Sequence, residues 1–204
     1  MRAPDILRRT FCNQDGIAAT EFGLIAPVLA VLLMGVMDMS HTLYMQSVLQ
    51  GVVQNTARAS GLESGAVSAK QAELDTMVTA NVQALANNAT VTISRRYFKD
   101  FTKAAQAVAE PFTDTNGNGT CNAGEPYQDN NNNGTWDKDG GDGGQGGAKD
   151  AVIYTATITY PRMFPMHKLI GLPTTTTVKA STVLANQPYG DQTQYGAATV
   201  RNCT

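Results

Sequence analysis

The sequence predicts an α+β protein, a long N-terminal helix and a second helix packed on a small antiparallel sheet. Three observations predict it. Phe22 to Met37 is a run of sixteen uncharged, mostly apolar residues close to the N-terminus. Beyond it, Met45, Val48, Leu49, Val52, Val53, Thr56 and Ala57 recur at the i, i+3, i+4 spacing of one helix face. Later, three segments alternate apolar and polar residues with the period of two that marks strands with one solvated face.

The first helix is expected over Ala18 to Ala59, with Pro27 kinking it locally. At 1.5 Å per residue it is about 60 Å long, with its first half in lipid and its second half on an outer domain. Arg2, Arg8 and Arg9 precede it and the next basic residue is Arg58, which places the N-terminus in the cytoplasm and the remainder outside. A secretory signal peptide fits poorly, because no small-residue cleavage site ends the apolar run. A plain anchor leaves Glu21 unexplained. An ionised carboxylate at mid-span costs about 2.5–3.5 kcal/mol, so an intramembrane acid calls for a function and a partner. Cleavage after Gly16 would supply the partner. Ile17 would become a cationic N-terminus, and Glu21, then the fifth residue, could pair with the free amine of a neighbouring chain.

Gly16, Glu21 and Phe22 in GIAATEF resemble the processing site of Flp-type prepilins and pseudopilins. The wider stretch over about residues 14–60, with its A-x-E-F string, Pro27 in the apolar run, Asp38 at its exit and a terminal Ala-Arg, is similar to the TadE-like family of the tight-adherence pilus system. The resemblance does not extend to residues 110–150. It implies a pilin-like arrangement of the predicted elements and a minor pseudopilin of Tad/Flp pilus assembly, cut by a prepilin peptidase after Gly16. Residues 1–16, with Cys12, would be a cleaved leader. Gly16, Ile17, Glu21 and Phe22 would be the processing residues, with Glu21 the assembly carboxylate. The implied partners are the membrane, the peptidase, other pilins and pseudopilins, and Tad assembly proteins. The implied location is the inner membrane, with the C-terminal domain periplasmic or extracellular and the pilus fibre as a further destination.

His41 reads as an interfacial polar residue. Gly61 to Gly65 break the helix, and residues 61–109 hold a second helix and a first strand. Ser68 and Gln71 fit a capping box with Val67 as staple. Ala72, Leu74, Met77, Val78, Val82 and Leu85 form its buried stripe, and the helix is expected to end at Asn87-Asn88-Ala89. Strands are expected over 90–97, 151–160 and 174–185, the last two within a segment running 151–204. Val91, Ile93 and Tyr97 share one face of the first; Val152, Tyr154, Ala156, Ile158 and Tyr160 share one face of the second. Arg95 and Arg96 read as solvated strand positions.

Residues 110–150 form an inserted segment rich in Asn, Asp and Gly, and it repeats itself. Asp114, Asn116, Asn118, Gly119 and Thr120 recur fifteen residues on as Asp129, Asn131, Asn133, Gly134 and Thr135, and Phe112 recurs as Tyr127. The first copy meets the D-x-[DN]-x-[DN]-G-x5-E pattern of a calcium loop in full. Oxygens at positions 1, 3 and 5 and a carbonyl at 7 wrap the ion, glycine at 6 permits the turn, and a glutamate at 12 binds bidentately. Asp114, Asn116, Asn118, the Thr120 carbonyl and Glu125 fill these roles, with Asn122 acting through water. The second copy offers Asp129, Asn131, Asn133, the Thr135 carbonyl and Asp137. Gly140 stands at its position 12, and Asp139 could substitute. One or two structural calcium ions are therefore expected. Few ligands are charged, so Kd should sit at about 10⁻⁴–10⁻³ M. Flanking helices are not evident. The competing reading is a flexible polar linker, which GGDGGQGG resembles. Trp136 is expected to pack this loop on the sheet.

Cys121 and Cys203 would both lie outside the cytoplasm, where disulfides persist, and are candidates for a bridge. The net charge of −2 and the lack of a basic tract argue against nucleic acid. No nucleophile elbow, HExxH or phosphate loop is present, so neither an enzyme nor a small-molecule substrate is expected. An alternative to the pseudopilin is an uncleaved, membrane-anchored, calcium-stabilised surface adhesin.

Overall fold

The structure is a computed structural model describing residues 16–62, 67–164, 168, 171–187, 190, 192 and 195–204. The expected leader, Gly16 apart, lies outside the described residues, as does most of the helix-breaking stretch after Leu62. Helix α1 spans Ile17–Ser60, α2 Ser68–Gln83 and α3 Phe101–Gln106. Strands β1 to β6 span Thr90–Phe98, Pro126–Asp129, Asp142–Gly143, Ala151–Pro161, Thr175–Ala185 and Thr199–Asn202. Among these, β1, β4 and β5 match the three expected strands, and the α+β class is the one observed.

The described residues form two compact units. One comprises α1 up to Leu43 together with Arg162–Thr174; the other comprises Tyr44–Pro161 and Thr175–Thr204. In the first, α1 runs through Pro27 as one continuous helix. Its apolar side chains are bare, Phe22 at 69% and Leu24 at 79% exposed. Asp38 is the exception. It is buried and ion-paired to Arg162, whose Nε donates to the Pro173 carbonyl at 3.1 Å.

The second unit is built on a four-stranded antiparallel sheet in the order β3-β1-β4-β5. β4 is central because its inward face is wholly apolar. Val152, Tyr154, Ala156 and Ile158 are all 0% exposed, while the intervening threonines are part-exposed. Onto this face pack Met45, Leu49, Val53 and Ala57 of α1 and Val82 of α2. The helical stripe read from sequence is thus the buried one. Each of these Met, Leu and Val side chains removed from water contributes about 1.5–3 kcal/mol, and the Ala57 methyl about 0.8 kcal/mol.

α2 departs from expectation at both ends. Val67, extended at φ −77° and ψ 127°, is its N-cap, and no side-chain cap bond forms. The Val67 carbonyl instead accepts from Lys70 and Gln71, so Ser68 opens the helix and no capping box is made. The helix stops at Gln83, before the expected Asn pair. Only Leu74, Val78 and Val82 of the proposed stripe are buried; Ala72, Met77 and Leu85 face outward. A sixteen-residue helix lying on a sheet needs only a narrow contact line, and one residue every fourth position supplies it.

Arg95 and Arg96 are not simply solvated. Arg95 lies on the inward side of β1 with Val91 and Ile93. It forms two hydrogen bonds to Asp75 of α2, at 3.0 and 2.5 Å, and sits 4.9 Å above the Tyr154 ring. Arg96 points to the other side, into the inserted segment. That segment is folded. It carries β2, which pairs with the C-terminal β6, and β3, which extends the main sheet along β1. Its Gly-rich end is ordered by a buried network. Gln145 Nε2 donates to the Ser60 carbonyl at 3.0 Å and to Asn186 Oδ1 at 3.1 Å, and Asn186 donates back to Gln145 and Gly147. Gly146, at φ +65°, packs against Tyr97 and Asp150 where a Cβ would meet atoms at 2.8 Å.

Candidate functional site

The inserted segment brings the expected ligand residues together loop by loop. In the first loop Asp114 accepts from the N–H groups of Gly117 and Gly119, both at 2.7 Å, and of Asn118 at 3.2 Å. Gly117 and Gly119 take positive φ, +73° and +74°, which the tight wrap requires. Asn116 Oδ1 accepts from Asn118 N–H, and Asn118 Oδ1 from Thr120 N–H. Glu125 closes the loop. One of its oxygens accepts from the N–H and hydroxyl of Thr115, the other from Asn122 N–H at 2.8 Å. These donors favour the charged forms. The Gly119 N–H leads in holding Asp114 below the usual carboxylate range, and the Asn122 N–H, with the Thr115 hydroxyl, does the same for Glu125.

The second loop repeats the pattern. Asp129 accepts from Asn133 and Gly134 N–H, at 3.1 and 2.9 Å, and pairs with Arg201 at 2.6 Å. Asn131 and Asn133 accept from the N–H groups two residues on, and both donate their side-chain amides to Asp137 at 2.8 Å. The other Asp137 oxygen meets Arg96 at 2.6 Å. Asp139 is bound to the same guanidinium, which keeps it below its ordinary range although burial works the other way.

One acid here is absent from the sequence-derived ligand set. Glu110 is 1% exposed. Its carboxylate accepts from Asn130 N–H at 2.7 Å and Asp137 N–H at 3.0 Å. Burial pushes it up, the two N–H groups oppose that, and the nearby charges of Asp137 and Asp129 add to it. The available signal was that Glu110-Pro111-Phe112 opens the first repeat as Glu125-Pro126-Tyr127 opens the second. Trp136 also sits differently from expectation. It packs edge-on to Phe112 at 5.1 Å between ring centres and donates to the Glu110 carbonyl at 2.9 Å, so it joins the two repeats rather than seating the loop on the main sheet.

Cys121, at the eighth position of the first loop, is disulfide-bonded to Cys203 with Cα atoms 5.9 Å apart. Gly124 N–H donates to the Cys203 carbonyl and Cys203 N–H to the Glu125 carbonyl, so the C-terminus closes over the first loop. Among the described residues, no three His, Cys, Asp or Glu side chains are gathered into a metal-holding group. Each loop offers amide and carbonyl oxygens with two carboxylates, Asp114 and Glu125 in the first and Asp129 and Asp137 in the second, oxygen donors of the kind a hard cation takes.

The residues expected to mark processing lie at the other end of the chain. Gly16 immediately precedes α1, and its carbonyl accepts from Thr20 N–H at 3.1 Å. Ile17 opens the helix, and Glu21, one turn on, is exposed beside Phe22.

The fold therefore defines a class, an α+β protein with one N-terminal helix among the described residues, Ile17–Ser60, long and apolar enough to cross a membrane, its most apolar 18-residue stretch having a mean hydropathy of 2.1. Residues 16–58 match the family of TadE-like proteins, and over that stretch the chain is similar to them. No curated protein and no solved structure matches the chain significantly.

Proposed function

We propose that the protein is a structural component of a Tad/Flp-type pilus apparatus, a minor pseudopilin anchored by α1. The observation that carries this reading is a coincidence at one boundary. The TadE-like match begins at Gly16, the helix begins at Ile17, and the carboxylate at the apolar run's entrance, Glu21, lies one turn inside. On this reading a prepilin peptidase cuts after Gly16. The new Ile17 amine of one subunit and Glu21 of another then neutralise each other in lipid, where either alone is costly. The N-terminus faces the cytoplasm and the second unit lies outside, in the periplasm or in the fibre. The role is assembly rather than catalysis.

Calcium belongs to the same proposal. The two loops would each hold one ion, ordering an insertion that has little apolar core of its own. Asp114, Asn116, Asn118, the Thr120 carbonyl and Glu125 would bind the first. Asp129, Asn131, Asn133, the Thr135 carbonyl and Asp137 would bind the second.

The deciding experiment is the intact mass and N-terminal sequence of the protein recovered from its native membrane. A chain beginning at Ile17 is expected. A chain that keeps the residues before it, in cells with a working pilus, refutes processing and favours the uncleaved adhesin. Glu21→Ala is expected to insert normally and to abolish fibre assembly, measured by fractionation and by counting fibres.

A further inference from the structure

The second calcium loop lacks an acid at its twelfth position, and the structure explains why it can have none. Gly140 adopts φ +67°, and a Cβ there would meet the Val108 carbonyl at 2.6 Å. Asp139, the neighbouring substitute, has both oxygens taken by Arg96 and one also by Gly141 N–H, whereas Asp137 gives Arg96 a single oxygen. The closing ligand must come from elsewhere in the chain or be missing.

The two repeats are related by an approximate twofold axis. Phe112 and Tyr127 form an antiparallel bridge, and the bonds beside it are reciprocal: Thr113 N–H to the Pro126 carbonyl at 2.9 Å, and Gln128 N–H to the Pro111 carbonyl at 2.8 Å. The glutamates obey the same symmetry. Glu125 receives the N–H groups of positions 2 and 9 of the first loop, Thr115 and Asn122. Glu110 receives those of positions 2 and 9 of the second, Asn130 and Asp137. Even the backbone agrees, since Glu125 N–H donates to the Asn122 carbonyl and Glu110 N–H to the Asp137 carbonyl, both at 2.9 Å.

Two further observations ask for a cation at this place. Glu110 is buried with no cationic side chain in ion-pair reach among the described residues, so its ionised form is costly unless a positive charge joins it. Beside it, Tyr127 is 2% exposed. Its hydroxyl is buried without a hydrogen-bond partner among the described residues, near Asp129 and Asp137, which Arg201 and Arg96 pair, and near Glu110, which no cation pairs. An orphaned hydroxyl among buried carboxylates is what an oxygen-ligated ion, or its bound water, would satisfy.

We propose that the two repeats exchange their closing glutamates: Glu110, which opens the first repeat, supplies the second loop with the bidentate carboxylate that Glu125, which opens the second repeat, supplies to the first. This rests on the calcium reading above and goes beyond it. Neither loop is complete within its own repeat, so the pair binds two ions as a unit, and a single copy of the repeat would bind none tightly.

The test uses the full chain in detergent micelles, titrated with calcium by calorimetry and with terbium read through the luminescence sensitised by Trp136, the chain's one tryptophan, at position 8 of the second loop. The wild type is expected to bind two ions. Glu110→Gln should weaken the tryptophan-sensitised site by at least about tenfold. Asp139→Asn should leave it unchanged. Retention of the sensitised site at full affinity in Glu110→Gln, or its loss in Asp139→Asn alone, overturns the exchange. A wild type that binds neither ion overturns the calcium reading itself, which is a separate result. Because Glu110→Gln could unfold the insertion, the carboxyl carbon resonance of Glu110 is also followed in the wild type. It should shift as the second site fills, and an unmoved resonance at saturation overturns the exchange without any substitution.

Discussion

Arg95 and Lys70 show how little a charge says until its surroundings are known. Lys70 pairs with Glu73 on an open helix face, at 2.8 Å, with both side chains well exposed. Arg95 is 10% exposed, held by Asp75 and stacked on the Tyr154 ring. Truncating Lys70 to Ala should change stability by less than about 0.5 kcal/mol. Arg95→Ala should cost about 2–3 kcal/mol, because it leaves Asp75 unpaired and uncovers Tyr154. Urea denaturation of the two variants checks the contrast, and equal effects would refute it. A second expectation at this scale concerns Tyr97. Burial, with the hydrogen bond its hydroxyl donates to Asp142 at 2.9 Å, pushes the phenol from 10.0 up to about 12. The neutral form is favoured in the fold. Its contribution is therefore complete below pH 10 and is lost as pH climbs through about 12. Tyrosinate absorbance followed together with circular dichroism should show ionisation and loss of structure setting in together across that interval. Tyr97→Phe should shift the loss of structure to higher pH.

Among the elements, the central strand and the packing half of α1 were legible because each announces its own period. β4 alternates apolar and polar residues from Tyr154 to Tyr160, and α1 repeats its apolar residues every third or fourth position. The short elements carry no such signal. β2 has four residues, β3 two and β6 four, too few for a pattern, and each exists only because a partner strand lies alongside. β6 depends on the disulfide as well as on β2. The Cys121–Cys203 bridge joins residues 82 apart, a closure of the unfolded chain worth about 4.5 kcal/mol in the entropic account. Cys203→Ser is expected to lower the denaturation midpoint by a corresponding amount and to raise hydrogen exchange in β6 and the first loop while sparing β4. Uniform exchange changes across the sheet would count against this local role.

For the whole molecule, the inserted segment shows how a composition that reads as linker becomes structure. Its order comes from carboxylates gripping backbone N–H groups, from a guanidinium, Arg96, reaching it from the main sheet, and from a C-terminus that returns to cover it. Little of this is apolar, so the segment should respond strongly to a bound ion. Calcium at a hundred times Kd should stabilise the folded chain by about 2.7 kcal/mol per independent site, and a chelator should remove that increment. Thermal denaturation at matched ionic strength, with magnesium as control, measures it. A midpoint indifferent to calcium would mean that the loops stand without metal.

The sequence by itself determined the apolar helix, its packing stripe and the three long strands, because helix and strand periods are local properties written in consecutive residues. It also held the Glu-Pro-aromatic repeat that opens each loop. What only the tertiary structure decided is which groups meet: Arg95 with Asp75, Arg96 with the second loop, Gln145 with Ser60 and Asn186, and Glu110 with a loop that begins nineteen residues after it. Such pairs are set by how the sheet and the twofold-related repeats bring distant segments together. A carboxylate's neighbours depend on that packing and not on its place in the chain, and of these pairs only that of Glu110 left a trace in the sequence, as the repeated Glu-Pro-aromatic opening.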